Sequence, residues 1–194
     1  MGLIIELIGG RGSGKTTLIK RIKEYYVDCQ SIEGFRKIDN DYDIHTVEGF
    51  VKNEREYIRR SIKECQMAAS DNMTIITSGP REILFYLEYN ANRYYPSESV
   101  LEIMKADINE LTKVFSPNVI YLFASGDKLR ENIKNDKNKC RENVDFWIEF
   151  SYYVNERMKI ENNTYRIDIN NLTTDEVATI AFQHIAELRK GKYD

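Results

Sequence analysis

The strongest constraint on this chain is the run Gly9-Gly10-Arg11-Gly12-Ser13-Gly14-Lys15-Thr16, which satisfies G-x-x-x-x-G-K-[ST] in full. Its surroundings give the pattern its weight. Leu3 to Ile8 is nearly continuously apolar, as expected of a parallel strand buried on both faces. After the run, Leu18, Ile19 and Ile22 recur at helical spacing. A strand that enters a glycine-rich turn and leaves as a helix aims backbone N–H groups and the positive end of the helix dipole at one point. The expected ligand is the phosphate chain of a nucleoside triphosphate such as ATP. The amides of Gly9, Gly10, Arg11, Gly12, Ser13 and Gly14 would cradle it, and Lys15 would reach the β- and γ-phosphates. The Thr16 hydroxyl would join the shell of a Mg2+ ion, with Thr17 beside it at the helix start. The competing reading is a glycine-rich turn with an ordinary surface lysine, and the strand-loop-helix context argues against it. Arg11 has two readings: a guanidinium that stabilises charge spreading in the transition state, or a side chain turned to solvent.

Further apolar runs at Thr74 to Thr77, Val119 to Ala124 and Tyr165 to Ile169 predict strands, with a weaker one at Val27 to Ile32. Helical patterns lie between them. Val51, Ile58, Ile62, Cys65 and Ala69 share one face, and Leu101, Met104, Ile108, Leu111 and Phe115 share another, after Ser97 as a candidate N-cap. Thr173-Thr174-Asp175-Glu176 has the form of a capping box and opens a helix whose inward residues are Val177, Ile180, Ala181, Ile185 and Leu188. Strands alternating with helices predict an α/β fold with a parallel sheet, and 194 residues without a linker-like stretch predict one domain over 1–194.

The formal net charge of −3, from 28 basic and 31 acidic side chains, gives no global attraction to nucleic acid or to an anionic membrane. Phosphate must be held by local groups. Cys29, Cys65 and Cys140 are too scattered for a disulfide framework or a zinc-binding spacing, which suits reduced thiols in a cytoplasmic protein. The apolar start lacks a basic leader and reads as a strand rather than a targeting signal.

No Asn-Lys-x-Asp segment, no Asp-x-x-Gly after a strand and no LSGGQ-like segment occurs, which leaves a small-molecule kinase as the leading class. In its P-loop and order of elements the chain resembles the nucleoside and nucleotide kinase group, thymidylate kinases and deoxynucleoside kinases in particular. The resemblance implies a five-stranded parallel sheet in the order 2-3-1-4-5 flanked by helices, and transfer of the γ-phosphoryl group of ATP to a small acceptor, a nucleoside or nucleoside monophosphate. It places Glu33 where deoxynucleoside kinases carry a base acting on the acceptor hydroxyl, and Arg81, in Thr77-Ser78-Gly79-Pro80-Arg81, where the group holds its acceptor. The two helices between Arg81 and Phe115 match an insertion of thymidylate-kinase-like proteins. A basic lid is implied over about 126–141, with Lys128, Arg130, Lys134, Lys137, Lys139 and Arg141, of which Arg130 would act on the γ-phosphate. Asn170, Asn171 and Leu172 fall where the adenine-contacting loop lies. The resemblance also admits a homodimer.

The sequence departs from that group at informative positions. Ser78 replaces the carboxylate that ends the third strand, Ile8 stands where thymidylate kinases carry an acid, and the lid favours lysine over arginine. Ser78 therefore leaves open a second reading, a nucleotide-binding regulatory protein with weak or no kinase activity. Each remaining candidate has a plainer alternative. The charged segment of the lid is a solvated helix in the plainer case, and Arg81 pairs with Glu82. Asp39, Asp41 and Asp43 either supply the missing magnesium carboxylate or form a solvated loop. Tyr86, Tyr89, Tyr94 and Tyr95 either line a base-stacking pocket or serve as core and rim. Phe146, Trp147, Phe150 and His184 read as structural.

Overall fold

A computed structural model describes residues 2–33, 42–68, 73–95, 99–135 and 143–191. Five strands, β1 (Leu3–Gly9), β2 (Cys29–Glu33), β3 (Met73–Thr77), β4 (Asn118–Phe123) and β5 (Thr164–Asp168), form one parallel sheet in the order β2-β3-β1-β4-β5. The weakest sequence candidate, near Val27 to Ile32, is thus a true edge strand, shifted two residues towards its end. β1 and β3 sit inside the sheet, and their side chains are buried on both faces except at Ile4, as their unbroken apolar runs require.

Helices α1 (Lys15–Tyr25) and α8 (Thr174–Lys190) cover one face, packing Leu18, Ile19, Ile22, Ala181 and Ile185 against Ile5, Leu7 and Ile120. The capping box of α8 forms as the sequence indicates. The Thr173 hydroxyl accepts from the Glu176 amide, and the Glu176 carboxylate accepts from the Thr173 amide. On the other face α3 (Pro80–Tyr94) and α7 (Val144–Ile160) bury Phe85, Phe150, Val154 and Met158 over Ile8, Val119 and Tyr121. α2 (Val47–Ala68) and α5 (Lys105–Thr112) join α3 around a separate apolar cluster of Phe50, Ile58, Leu84, Leu87, Met104 and Leu111. α6 (Gly126–Asn135) follows β4.

The helix expected through Leu101 and Phe115 is interrupted. A single turn, α4 (Val100–Ile103), ends at Met104 and α5 begins at Lys105. Met104 is fully buried at the break, so the apolar periodicity runs on through it and hides the interruption from the sequence. The observed N-cap is Ser99, whose hydroxyl accepts from the Glu102 amide; Ser97 and Ala69 lie outside the described residues. No described helix is long and apolar enough to cross a membrane.

Candidate active site

The parallel sheet brings the carboxyl ends of β1 and β3 to one edge, where ligands of open α/β sheets bind. Gly12 and Gly14 both adopt left-handed backbone conformations, with φ of 85° and 86°, which side chains rarely tolerate. Gly14 is the N-cap of α1 and a Cβ there would meet nothing within 4 Å, so the bend opens onto free space. The Ser13 amide donates to the Gly10 carbonyl at 3.1 Å, closing the turn. The Ser13 hydroxyl is buried and lacks a hydrogen-bond partner among the described residues. Such a loop is preset for an anion, because its donors already point outward and little conformational entropy remains to be lost.

Lys15 lies folded over this loop. Its Nζ donates to the Gly9 carbonyl and, at 3.5 Å, to the Gly10 carbonyl, and stands 3.7 Å from the Glu82 carboxylate. Glu82 comes from the first turn of α3 and is buried; burial pushes its carboxyl up while Lys15 pulls against that shift. Glu82 also accepts from the Ser78 amide at 3.1 Å. Ser78 itself has φ of 50°, a strained setting for a residue with a side chain, and it lets the chain turn from β3 into α3 with Glu82 facing the loop. The carboxylate that Ser78 leaves out at the strand end is therefore present four residues later. Sequence reading missed it because Glu82 looked like a surface partner for Arg81.

These groups line a cavity of about 760 Å³ whose wall contains the whole of Gly9 to Thr16, with Ser78 and Glu82 opposite and Tyr57, Tyr86 and Trp147 beyond. Thr16 is exposed at its rim. Among the described residues no group of three His, Cys, Asp or Glu side chains could hold a metal unaided. The Thr16 hydroxyl and the Glu82 carboxylate are nevertheless hard oxygen donors on one cavity. That pair suits a magnesium ion that keeps most of its shell in water and phosphate oxygens.

Other expected site residues stand elsewhere. Arg81 does not line this cavity. Its guanidinium pairs with Glu6 of β1, donates to Glu161 at 3.0 Å and to the Ser116 carbonyl at 2.6 Å, and lies over Phe115. Its amide also donates to Glu6 at 3.0 Å. Both side chains are buried, so Arg81 answers a buried carboxylate within the fold, and neither an acceptor nor Glu82 is its partner. Arg130 is turned away too: it pairs at 2.5 Å with Asp145 at the start of α7, on the surface. Lys128 pairs with Glu131 at 3.1 Å, and Lys137, Lys139 and Arg141 lie outside the described residues. What joins α6 to the loop is Asn132, whose amide donates to the Gly12 carbonyl at 2.9 Å.

Arg11 lines the cavity and its guanidinium lies 5.7 Å from the centre of the Trp147 ring, so it is held beside the loop by an aromatic face. Glu33 ends β2 in register with Thr77 but is exposed and does not line the cavity. Asp39 and Asp41 lie outside the described residues; Asp43 accepts from the His45 amide in the turn leading to α2. A smaller hollow beside the loop is lined by Ser13, Gly14, Thr17, Lys128, Asn132 and Leu172, among others, where the resemblance puts the adenine. Asn171 is exposed and absent from that wall, and Asn170 instead accepts from the Ser125 amide at 2.9 Å. His184 stacks on Tyr165 with ring centres 3.9 Å apart.

A third hollow, of about 480 Å³, shares Ile44, Asn53, Tyr86 and Trp147 with the loop cavity. Tyr94 and Tyr95 line it, as the aromatic reading allowed, whereas Tyr89 does not. Phe146 and Trp147, read as packing, are in its wall, and Tyr86 and Trp147 stack with ring centres 6.3 Å apart and planes 20° apart. Helical spacing assigns such aromatics to a face but not to a hollow between two helices.

By sequence, no family model and no curated protein matches the chain. By structure it is similar to deoxyadenosine kinase from M. mycoides with bound dATP, at a TM-score of 0.76 and 14% identity, covering 95% of this chain and 100% of that one. The same enzyme with bound dCTP gives a TM-score of 0.66 at 15% identity, over 95% and 100% of the two chains. Thymidylate kinase from Candida albicans gives 0.63 at 14% identity, over 97% and 92%. The sheet order and these likenesses agree: the chain has the fold of the P-loop nucleoside and nucleotide kinases.

Proposed function

We propose that the protein is a phosphotransferase that moves the γ-phosphoryl group of a nucleoside triphosphate such as ATP to a nucleoside or nucleoside monophosphate. The observation that carries this reading is the continuity of the two large hollows. A phosphate-binding loop with Lys15 and Glu82 opens directly into an aromatic chamber of a size suited to a planar base. In this reading the loop amides and Lys15 take the β- and γ-phosphates, and Lys15 exchanges the carbonyls of Gly9 and Gly10 for phosphate oxygens. Thr16 and Glu82 are the chain's ligands, direct or through water, for magnesium, which when bound neutralises charge on the phosphate oxygens. Arg11 supplies a further fixed positive charge beside the loop. The chamber holds the acceptor with its hydroxyl or phosphate towards Glu82, and Glu82 accepts the proton of an attacking hydroxyl.

The alternative, a nucleotide-binding protein without transfer activity, was motivated by Ser78, and Glu82 takes away that motive. The test is ADP release from Mg-ATP with nucleosides and nucleoside monophosphates offered singly. Stimulation by one of them is expected, falling by at least about a hundredfold in Lys15→Ala and in Glu82→Gln. ATP binding with no stimulation by any acceptor would sink the transferase reading.

A further inference from the structure

The chamber beyond the phosphate loop has one polar feature that the proposed transfer does not use. Glu54, on α2, is in its wall among Phe50, Tyr86, Phe146 and Trp147, and is only 1% exposed. One carboxyl oxygen, Oε1, accepts from the Asn53 amide at 3.1 Å, which fixes the plane of the group. The other, Oε2, is buried with no hydrogen-bond partner among the described residues. No basic side chain is paired with it: Arg93, in the same wall, is engaged by Glu149 and Tyr89. Burial pushes the Glu54 carboxyl up to about 7.

An unpartnered carboxyl in an apolar wall works against stability, and a leucine of similar bulk would pack there at lower cost. Such a group makes sense where a ligand supplies the missing partner. The chemistry of that partner follows from the protonation state that burial favours. A neutral carboxyl presents one O–H donor beside one carbonyl acceptor. Its complement is a ring nitrogen acceptor beside an exocyclic amino group, the edge of adenine (N1 and N6) and of cytosine (N3 and N4). Thymine and uracil present an N–H between two carbonyl oxygens, which leaves one carboxyl oxygen facing an acceptor. Guanine presents two adjacent donors and demands the ionised carboxylate, the form that burial disfavours.

We propose that Glu54 reads the base of the acceptor, and that this base is one with an amino group beside a ring nitrogen, adenine or cytosine, rather than thymine, uracil or guanine. This rests on the reading of the chamber as the acceptor site. The flanking Tyr86 and Trp147 rings supply base-tolerant stacking, so selection falls to the one buried polar edge.

The experiment is titration calorimetry at pH 6.5 with the five nucleosides and their monophosphates, on wild type, Glu54→Gln and Glu54→Leu, with the melting temperature of each variant measured alongside. Wild type is expected to bind an adenine or cytosine ligand at least about tenfold more tightly than the thymine, uracil and guanine counterparts. Glu54→Gln keeps a donor and an acceptor side by side and should hold that preference to within about threefold. Glu54→Leu should lose it while melting at or above the wild-type temperature. A thymine, uracil or guanine ligand bound as well as or better than the rest overturns the role of Glu54 and leaves the kinase reading standing. So does a preference that survives in the leucine variant. Binding of ATP with no nucleoside or monophosphate bound at all removes both. Should the leucine variant not fold, the wild-type ranking and the glutamine variant still decide.

Discussion

At the scale of single residues the most informative position is Arg81, whose identity suggested one role and whose surroundings assign another. It satisfies Glu6, a carboxylate carried in the middle of a buried strand, and links β1 to α3, to the segment before β4 and to the end of α7. Removing the cation leaves Glu6 buried without a counter-charge, a loss of about 3–5 kcal/mol. Arg81→Ala should accordingly shift the urea midpoint strongly downward, and the double variant Glu6→Gln with Arg81→Met should recover most of it. Unchanged acceptor affinity in that double variant is the expected companion result, and a selective rise in acceptor KM would return Arg81 to the site. The contact was illegible beforehand because its partners are 75 and 80 residues away, and spacing along the chain says nothing about pairs that meet only through the sheet. Glu82 was obscured by the same neighbour. With Arg81 taken as the ligand-binding residue, the acid beside it looked like its counter-ion.

At the scale of elements, legibility followed locality. The strand, turn and helix from Leu3 to Tyr25 are determined by residues that touch within the segment, and so is the capping box at Thr173. The break at Met104 and the orientation of α6 depend on what packs against them. α6 carries the expected basic residues, yet its described ion pairs at Lys128 and Arg130 tie it to itself and to α7, while a neutral side chain meets the phosphate loop. Asn132 holds the carbonyl of Gly12, the residue with the left-handed turn, so it couples the placing of the helix to the shape of the loop. Asn132→Ala should cost about 1 kcal/mol of stability and raise the KM for ATP several-fold with a smaller change in kcat, as steady-state kinetics and thermal melting would show. A variant with unaltered ATP affinity would mean that the loop holds its conformation without α6.

On the scale of the whole molecule, two apolar layers grip the sheet and a third cluster, between α2, α3 and α5, stands apart from it. The binding chambers occupy the ground between that cluster and the loop end of the sheet. This division gives the phosphate end a rigid frame made by the strands, and gives the other end a wall made by helices that can vary without disturbing the loop. The net charge of −3 fits the same division, since attraction for a triphosphate is confined to a few amides, Lys15 and Arg11. Trp147 stands where the two chambers meet, and it is the chain's single tryptophan. Its indole is therefore a native optical probe at the junction, with Arg11 against one side and Tyr86 stacked on it. Addition of Mg-ATP should displace Arg11 from the ring and change the emission once, and a base entering beside Tyr86 should change it again. One unlabelled fluorescence titration would then time the arrival of donor and acceptor separately, from a fluorophore the fold already carries.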